Sequence, residues 1–147
     1  KDVNSIFFIG RDLDYYQVME GALKMKEISY IHCEAYAGGE LKHGAISLIV
    51  DNTPVVALAI QEKILSKMIS NTKEVISRGA DVLLFAKEDA DIDKDSYKKI
   101  IYLPKVEDMF MPIVSIVALQ LLAYHTSVIR GCNVDKPRNL AKSVTVE

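Results

Sequence analysis

Glu20, Lys24 and Glu27 stand four and three residues apart. At about 100° per residue around a helix axis, that spacing puts all three in one narrow sector. An ammonium between two carboxylates can do acid–base work. The cation keeps a carboxylate ionised, the carboxylate can take a proton from carbon, and the cation can face a developing oxyanion. On spacing alone the favoured reading is solvated helix surface, since most charge stripes are surface, with Glu–Lys pairs worth roughly 0.2–0.5 kcal/mol each.

Two histidines and two glutamates follow in His32-Cys33-Glu34-Ala35-Tyr36-Ala37-Gly38-Gly39-Glu40-Leu41-Lys42-His43-Gly44. These are metal-ligand residue types, but there is no His-x3-His pair and no HExxH arrangement, so no metal site is expected. His43 lies in a glycine-flanked polar loop, where an imidazole could move a proton near neutral pH. From the residues alone, a surface histidine beside Lys42 is the favoured reading. His125 sits in a long apolar segment and reads as a hydrogen-bonded core histidine.

The elements that must position these groups are legible in the apolar pattern. Short continuous apolar runs occur at 6–9, 54–60, 82–86 and 100–103. They suit strands buried on both faces of a parallel sheet. Longer helical patterns separate them, over 14–32, 62–78 and 108–130, with Gly79 and Gly131 where helix C-caps belong. Strand alternating with helix predicts an α/β layered fold with right-handed crossovers. In the first helix Val18, Met19, Ala22, Leu23, Met25 and Ile28 cover most of the remaining circumference, so that helix should be largely buried.

The 147 residues suit one compact domain, and half of them are hydrophobic. Eighteen basic against twenty acidic residues give a net charge of −2, which argues against a nucleic-acid partner and against a polybasic membrane address. Two cysteines, Cys33 and Cys132, do not make a disulfide framework, which fits a reducing, cytoplasmic compartment. No signal peptide is visible. Lys1 stands where an initiator Met would, so upstream sequence is expected. Residues 109–129 contain no Asp, Glu, Lys or Arg. That length could span a bilayer, but burial in the core or in a subunit interface is the favoured reading.

The run Glu20-Gly21-Ala22-Leu23-Lys24-Met25-Lys26-Glu27-Ile28-Ser29-Tyr30-Ile31-His32, then Glu34-Ala35-Tyr36, then Gly39-Glu40-Leu41-Lys42-His43-Gly44, resembles the second sugar-isomerase (SIS) subdomain of the glucosamine-6-phosphate synthase family. Gln120-Leu121-Leu122-Ala123-Tyr124-His125 and the C-terminal stretch from Asp135 to Glu147 are similar to that family too. The resemblance implies a flavodoxin-like three-layer αβα sandwich with a parallel sheet. The SIS subdomain would occupy residues 1–135, and a tail over 136–147 would contribute to the active site. The implied chemistry joins glutamine-derived ammonia to fructose 6-phosphate and gives glucosamine 6-phosphate, without a cofactor.

Carried over residue by residue, the resemblance makes Glu27 the base that shuttles a proton between C1 and C2. Lys24 stabilises charge on the intermediate. His43 serves ring opening and reaches the neighbouring subunit's site. Lys142 serves ring opening and sometimes forms an imine with the ketose. Lys24, Glu27, Ala141 and Lys142 are the implied substrate-binding residues. A homodimer is implied, with the first SIS subdomain, its Ser/Thr phosphate cradle and a glutaminase domain supplied by sequence this chain lacks; alone it should be inactive. Two departures stand out: Asp12 replaces a frequent second glycine after Gly10, and Ala45 replaces a frequent proline after Gly44. Alternatives are a non-catalytic sugar-phosphate-binding or regulatory SIS module, and a related amino-sugar-phosphate isomerase or deglycase.

Overall fold

The computed structural model describes residues 2–140. Five strands, β1 (Ser5–Gly10), β2 (His32–Ala37), β3 (Pro54–Ala59), β4 (Asp81–Lys87) and β5 (Lys99–Leu103), form one sheet in the order β2-β1-β3-β4-β5. Every neighbouring pair is parallel, with Phe8 opposite Ala35 on one side and Val56 on the other. This is the strand order of the flavodoxin-like doubly wound fold. The α/β expectation is met.

Successive strand residues point to opposite faces, and both faces are covered. On one side Ile6, Phe8, Val56, Leu58 and Phe85 pack against helices α1 (Leu13–Ser29) and α3 (Met111–Ile129). On the other, Phe7, Ile9, Val55, Ala57 and Leu84 pack with Met68 and Val75 of α2 (Leu65–Ile76) and with Leu41. Three layers result, as the resemblance implied.

The differences from the sequence reading are local. The first helix stops at Ser29 instead of His32, because Tyr30 turns left-handed at φ 61° while its N–H still donates to the Lys26 carbonyl. The next residues form β2, a strand the sequence reading treated as helix end and loop. The 62–78 pattern divides into a 3-10 turn at Glu62–Ile64 and then α2. Gly79 does cap α2: its φ is 91°, and the Ala80 and Gly79 amides close back on the Val75 and Ile76 carbonyls. Asp12 explains the family's glycine at that point, for it sits at φ 51° and ψ −125°, where a side chain is disfavoured. Ala45 opens the 3-10 turn Ala45–Leu48, a first position that a proline would fit.

The apolar segment at 109–129 is not swallowed by the core of this chain. Met111, Ser115, Leu119, Ala123 and Ser127 repeat every four residues and form the buried stripe of α3. Ile113, Val117, Leu121, Tyr124 and Val128 are exposed on its outer side. His125 is exposed as well, edge-on to the Tyr124 ring at 5.3 Å, so it is no core histidine. By length and composition α3 could cross a membrane, yet here it forms a layer of the sandwich through that stripe. Met19 and Leu23 of α1 are also exposed, so α1 is less enclosed than its composition suggested.

Candidate active site

The charged stripe assembles as its spacing requires. Lys24 Nζ donates to Glu27 Oε2 at 2.7 Å and lies 3.5 Å from Glu20 Oε1. Hydrogen bonding to Glu27 raises the Lys24 pKa above its ordinary value, with the charges of Glu27 and Glu20 adding to the effect and partial burial opposing it. Lys24 therefore stays an ammonium at neutral pH. The Lys24 and Glu27 side chains are 32% and 27% exposed, neither sealed nor free in solvent. The helix holds them rigidly: Val18, Ala22 and Met25 lock α1 onto the sheet, and Gly21 lets α3 come close.

The stripe lies in the helical layer that carries the exposed apolar side of α3. A base and a cation flanked by uncovered apolar surface can act on a substrate once a further surface closes over them and excludes water.

His43 is not brought to this pair within the chain. It ends the 3-10 turn Gly38–His43, which follows β2 at the C-terminal edge of the sheet. Leu41 of that turn belongs to the core on the α2 side, and Lys42 Nζ pairs with Glu74 Oε1 of α2 at 2.8 Å. Glu27 sits in the last turn of α1, on the other face and toward the N-terminal edge of the strands. One site containing both groups therefore needs two chains. Ala141 and Lys142 lie outside the described residues. The His32, Glu34 and His43 set does not converge: His32 Nε2 is 3.5 Å from Glu34 Oε1, Tyr36 donates to Glu34, and no group that could hold a metal occurs among the described residues.

Sequence reasoning missed a polar cluster at the carboxyl ends of β1 and β3, the topological switch point where open α/β sheets bind ligands. Here the crevice is filled by the chain's own groups. Arg11 Nη1 donates to Asn71 Oδ1 at 2.9 Å, and Gln61 Nε2 donates to the Arg11 carbonyl at 3.0 Å. The Ile60 N–H donates to Asp14 Oδ2 at 3.1 Å. Asp14 is buried, which pushes its carboxyl up to about 7 despite that bond; the charges of Asp108 and Asp12 add to the rise. Beside it Lys87, buried at the end of β4, donates to Asp108 Oδ1 at 2.6 Å and Glu62 Oε1 at 3.3 Å. No sequence spacing announces these contacts, because they join residues about 20 to 60 positions apart. The cluster braces strand ends, with Lys87 paired to two carboxylates and Arg11 bonded to the neutral Asn71 amide.

Residues 1–130 match the family described as the SIS domain. The chain belongs to the SIS domain family. Over 97% of its length this SIS domain is 60% identical to a glutamine–fructose-6-phosphate aminotransferase (isomerizing) of Clostridium acetobutylicum, but it spans only 23% of that relative. A relative with the same description from Caldanaerobacter subterraneus is 53% identical over 99% of the chain, again at about a quarter of its own length (24%). Among solved structures, the C-terminal domain of glucosamine-fructose-6-phosphate aminotransferase from Francisella tularensis superposes at TM-score 0.87 and 42% identity, covering 92% of this SIS domain and 38% of that chain. A glucosamine-6-phosphate deaminase from Thermotoga maritima follows at TM-score 0.74 and 26% identity, covering 97% and 40%. This SIS domain thus corresponds to a part of each larger protein.

Proposed function

We propose that this SIS domain supplies the proton-transfer groups of an isomerase site that turns fructose 6-phosphate and ammonia into glucosamine 6-phosphate. The observation that carries the reading is the 2.7 Å Lys24–Glu27 pair on a rigid helix beside uncovered apolar surface. The names of the similar proteins supply the substrate class.

Ammonia adds to the C2 carbonyl of the open ketose, and water leaves to give an imine. Glu27 takes the proton from C1, forming an enolamine, and returns it to C2, giving the amino aldose. The Lys24 ammonium stabilises the electron density that develops during transfer. The net change is fructose 6-phosphate plus ammonia to glucosamine 6-phosphate plus water. His43 of a second chain and Lys142 of the tail over 136–147 serve ring opening, with Ala141 and Lys142 beside the sugar. The family resemblance assigns the phosphate to an upstream SIS subdomain with a Ser/Thr-rich cradle, and Lys87 at the switch point of this chain is already paired with Asp108 and Glu62. The partners are therefore an upstream SIS subdomain, a glutaminase domain and a second copy, in a cytoplasmic homodimer.

The test is Glu27→Gln in the full-length enzyme, followed by exchange of the C1 proton of fructose 6-phosphate with solvent. Loss of exchange by about 10²–10⁴-fold supports the base role; near-normal exchange removes it. The likeness to a deaminase favours one alternative, the reverse reaction at the same groups. Net release of ammonia from glucosamine 6-phosphate, with no use of glutamine, would select it.

A further inference from the structure

The turn that carries His43 opens on Gly38 and Gly39, and neither glycine has a positive φ. Their missing side chains serve close approach instead. A Cβ on Gly38 would lie 2.8 Å from Asn71 Oδ1, and a Cβ on Gly39 would lie 2.8 Å from Arg11 Nη1. Those are the two atoms of the 2.9 Å Arg11–Asn71 hydrogen bond. The bond therefore lies directly against the two glycines, and the turn rests on it. Both partners are held from elsewhere. The Arg11 carbonyl accepts from the Asp14 N–H and from Gln61 Nε2, each at 3.0 Å. Asn71 is buried in α2.

Leu41, fully buried, anchors the same turn at one point. A single apolar anchor fixes a position but not a direction. Direction needs an attachment on either side: Arg11–Asn71 before Leu41, and Lys42 Nζ–Glu74 Oε1 at 2.8 Å after it. Asn71 and Glu74 stand three residues apart on α2, so one helix face holds both ends of the turn. The two attachments are unequal. The Lys42 side chain is exposed, and a surface pair holds little. Asn71 is 6% exposed, so its bond to Arg11 competes less with water. His43 itself is exposed and makes no hydrogen bond, ion pair or ring contact among the described residues. Its place is therefore set by the turn alone.

We infer that Arg11 and Asn71 are positioning residues which hold the glycine-opened turn so that His43 is presented away from its own chain, to the site of a second copy. The inference rests on the reading of His43 as a ring-opening group in that site. Asn71→Leu removes the acceptor at nearly the same volume and leaves the guanidinium unheld. Asn71→Asp keeps an oxygen for Arg11 and should hold the turn as the parent does. Gly39→Ala pushes on the same bond from the turn side, through the Cβ that would meet Arg11 Nη1. Because Asn71 acts through His43, Asn71→Leu with His43→Ala should lose no more than His43→Ala alone.

The experiment uses the full-length enzyme. Hydrogen exchange in the peptide spanning residues 38–44 reads the turn itself. Turnover is measured with fructose 6-phosphate and with 5-deoxyfructose 6-phosphate, which lacks the oxygen that closes the ring. The expected result for Asn71→Leu is faster exchange in that peptide and about 10–100-fold lower turnover of fructose 6-phosphate, with the acyclic analogue turned over as by the parent. Unchanged exchange overturns the brace. An equal loss with both substrates overturns the positioning role, since a general disturbance of the site would act on both. So does a further loss when Asn71→Leu is added to His43→Ala. Gly39→Ala should show a smaller change in the same sense, and decides the matter if the leucine variant fails to fold. His43→Ala separates this inference from the reading beneath it. If that variant turns over fructose 6-phosphate as the parent does, the role given to His43 falls. If it is slow with fructose 6-phosphate while Asn71→Leu is unimpaired, His43 keeps its role and the positioning by Arg11 and Asn71 falls.

Discussion

Gly21 of α1 faces Leu119 of α3 so closely that an added Cβ would lie 3.1 Å from Leu119 Cδ1. The glycine has Glu20 beside it and Lys24 three residues on, so the stripe and the close helix contact share one turn of α1. A glycine inside a helix costs roughly 1 kcal/mol relative to alanine, and here that cost admits the second helix.

Substitution at that contact has a defined outcome. Gly21→Ala gains helix propensity but crowds a movable leucine end, so chemical denaturation should find it within about 1 kcal/mol of the parent. Gly21→Val adds two further methyl groups into the gap and should destabilise the chain by about 1–3 kcal/mol. It should also lower turnover of the full-length enzyme by moving α1 with its stripe.

Glu27 and Lys24 should dissociate activity from stability. Their pair is partly open to water, so Glu27→Gln or Lys24→Met should change unfolding free energy by no more than about 0.5 kcal/mol. Proton exchange at the sugar carbon should fall by orders of magnitude in the same Glu27→Gln protein. A large stability loss with retained exchange would make the pair a fold element.

Asp14 should give stability a pH dependence. Its folded carboxyl is pushed from 3.8 to about 7 by burial. An acid whose pKa is raised on folding stabilises most when protonated in both states, below about pH 4. That contribution is lost as pH rises from about 4 to 7, where the unfolded chain ionises first, and it is flat above. The span of about three pH units corresponds to roughly 4 kcal/mol. Asp14→Asn keeps the acceptor for the Ile60 N–H and cannot ionise. Its unfolding midpoint should match the parent near pH 4 and exceed it at pH 8; equal midpoints at both would contradict the buried carboxyl.

The two thiols should differ in reactivity. Burial beneath α1 pushes the Cys33 thiol up to about 12, while Cys132 is only half-buried. Alkylation at pH 8 under native conditions should label Cys132 and spare Cys33, and peptide mass spectrometry would read it. Equal labelling would mean that β2 opens readily.

Strands β1, β3 and β4 were legible because each is apolar on both faces, the mark of a central position in a parallel sheet, and the edge strand β5 was legible from its apolar run at 100–103 although only Leu103 of it is buried. β2, the opposite edge strand, was not, because His32 and Glu34 break any apolar run: only Cys33 of His32–Ala37 is buried. The weak alternation of Ile31, Cys33 and Ala35 was its one local signal. The charged stripe was legible from spacing alone, since i, i+3 and i, i+4 neighbours meet on any helix. That His43 would fall behind the sheet from Glu27 could not be read, because it depends on the path of the 3-10 turn after β2. The Asp14, Gln61 and Lys87 contacts were equally hidden, each being made by elements far apart in sequence. The end of α1 was misjudged because a tyrosine in the left-handed region has no sequence signature of its own.

The bend at Tyr30 sets two aims of protein engineering against each other. Glycine there would relieve backbone strain, and any scheme that ranks substitutions by fold robustness would choose it. It would also remove the ring and hydroxyl on which Arg138 rests. A hardened variant of this domain would then hold the chain beyond α3 less firmly, because the Arg138 contacts converge on that one side chain.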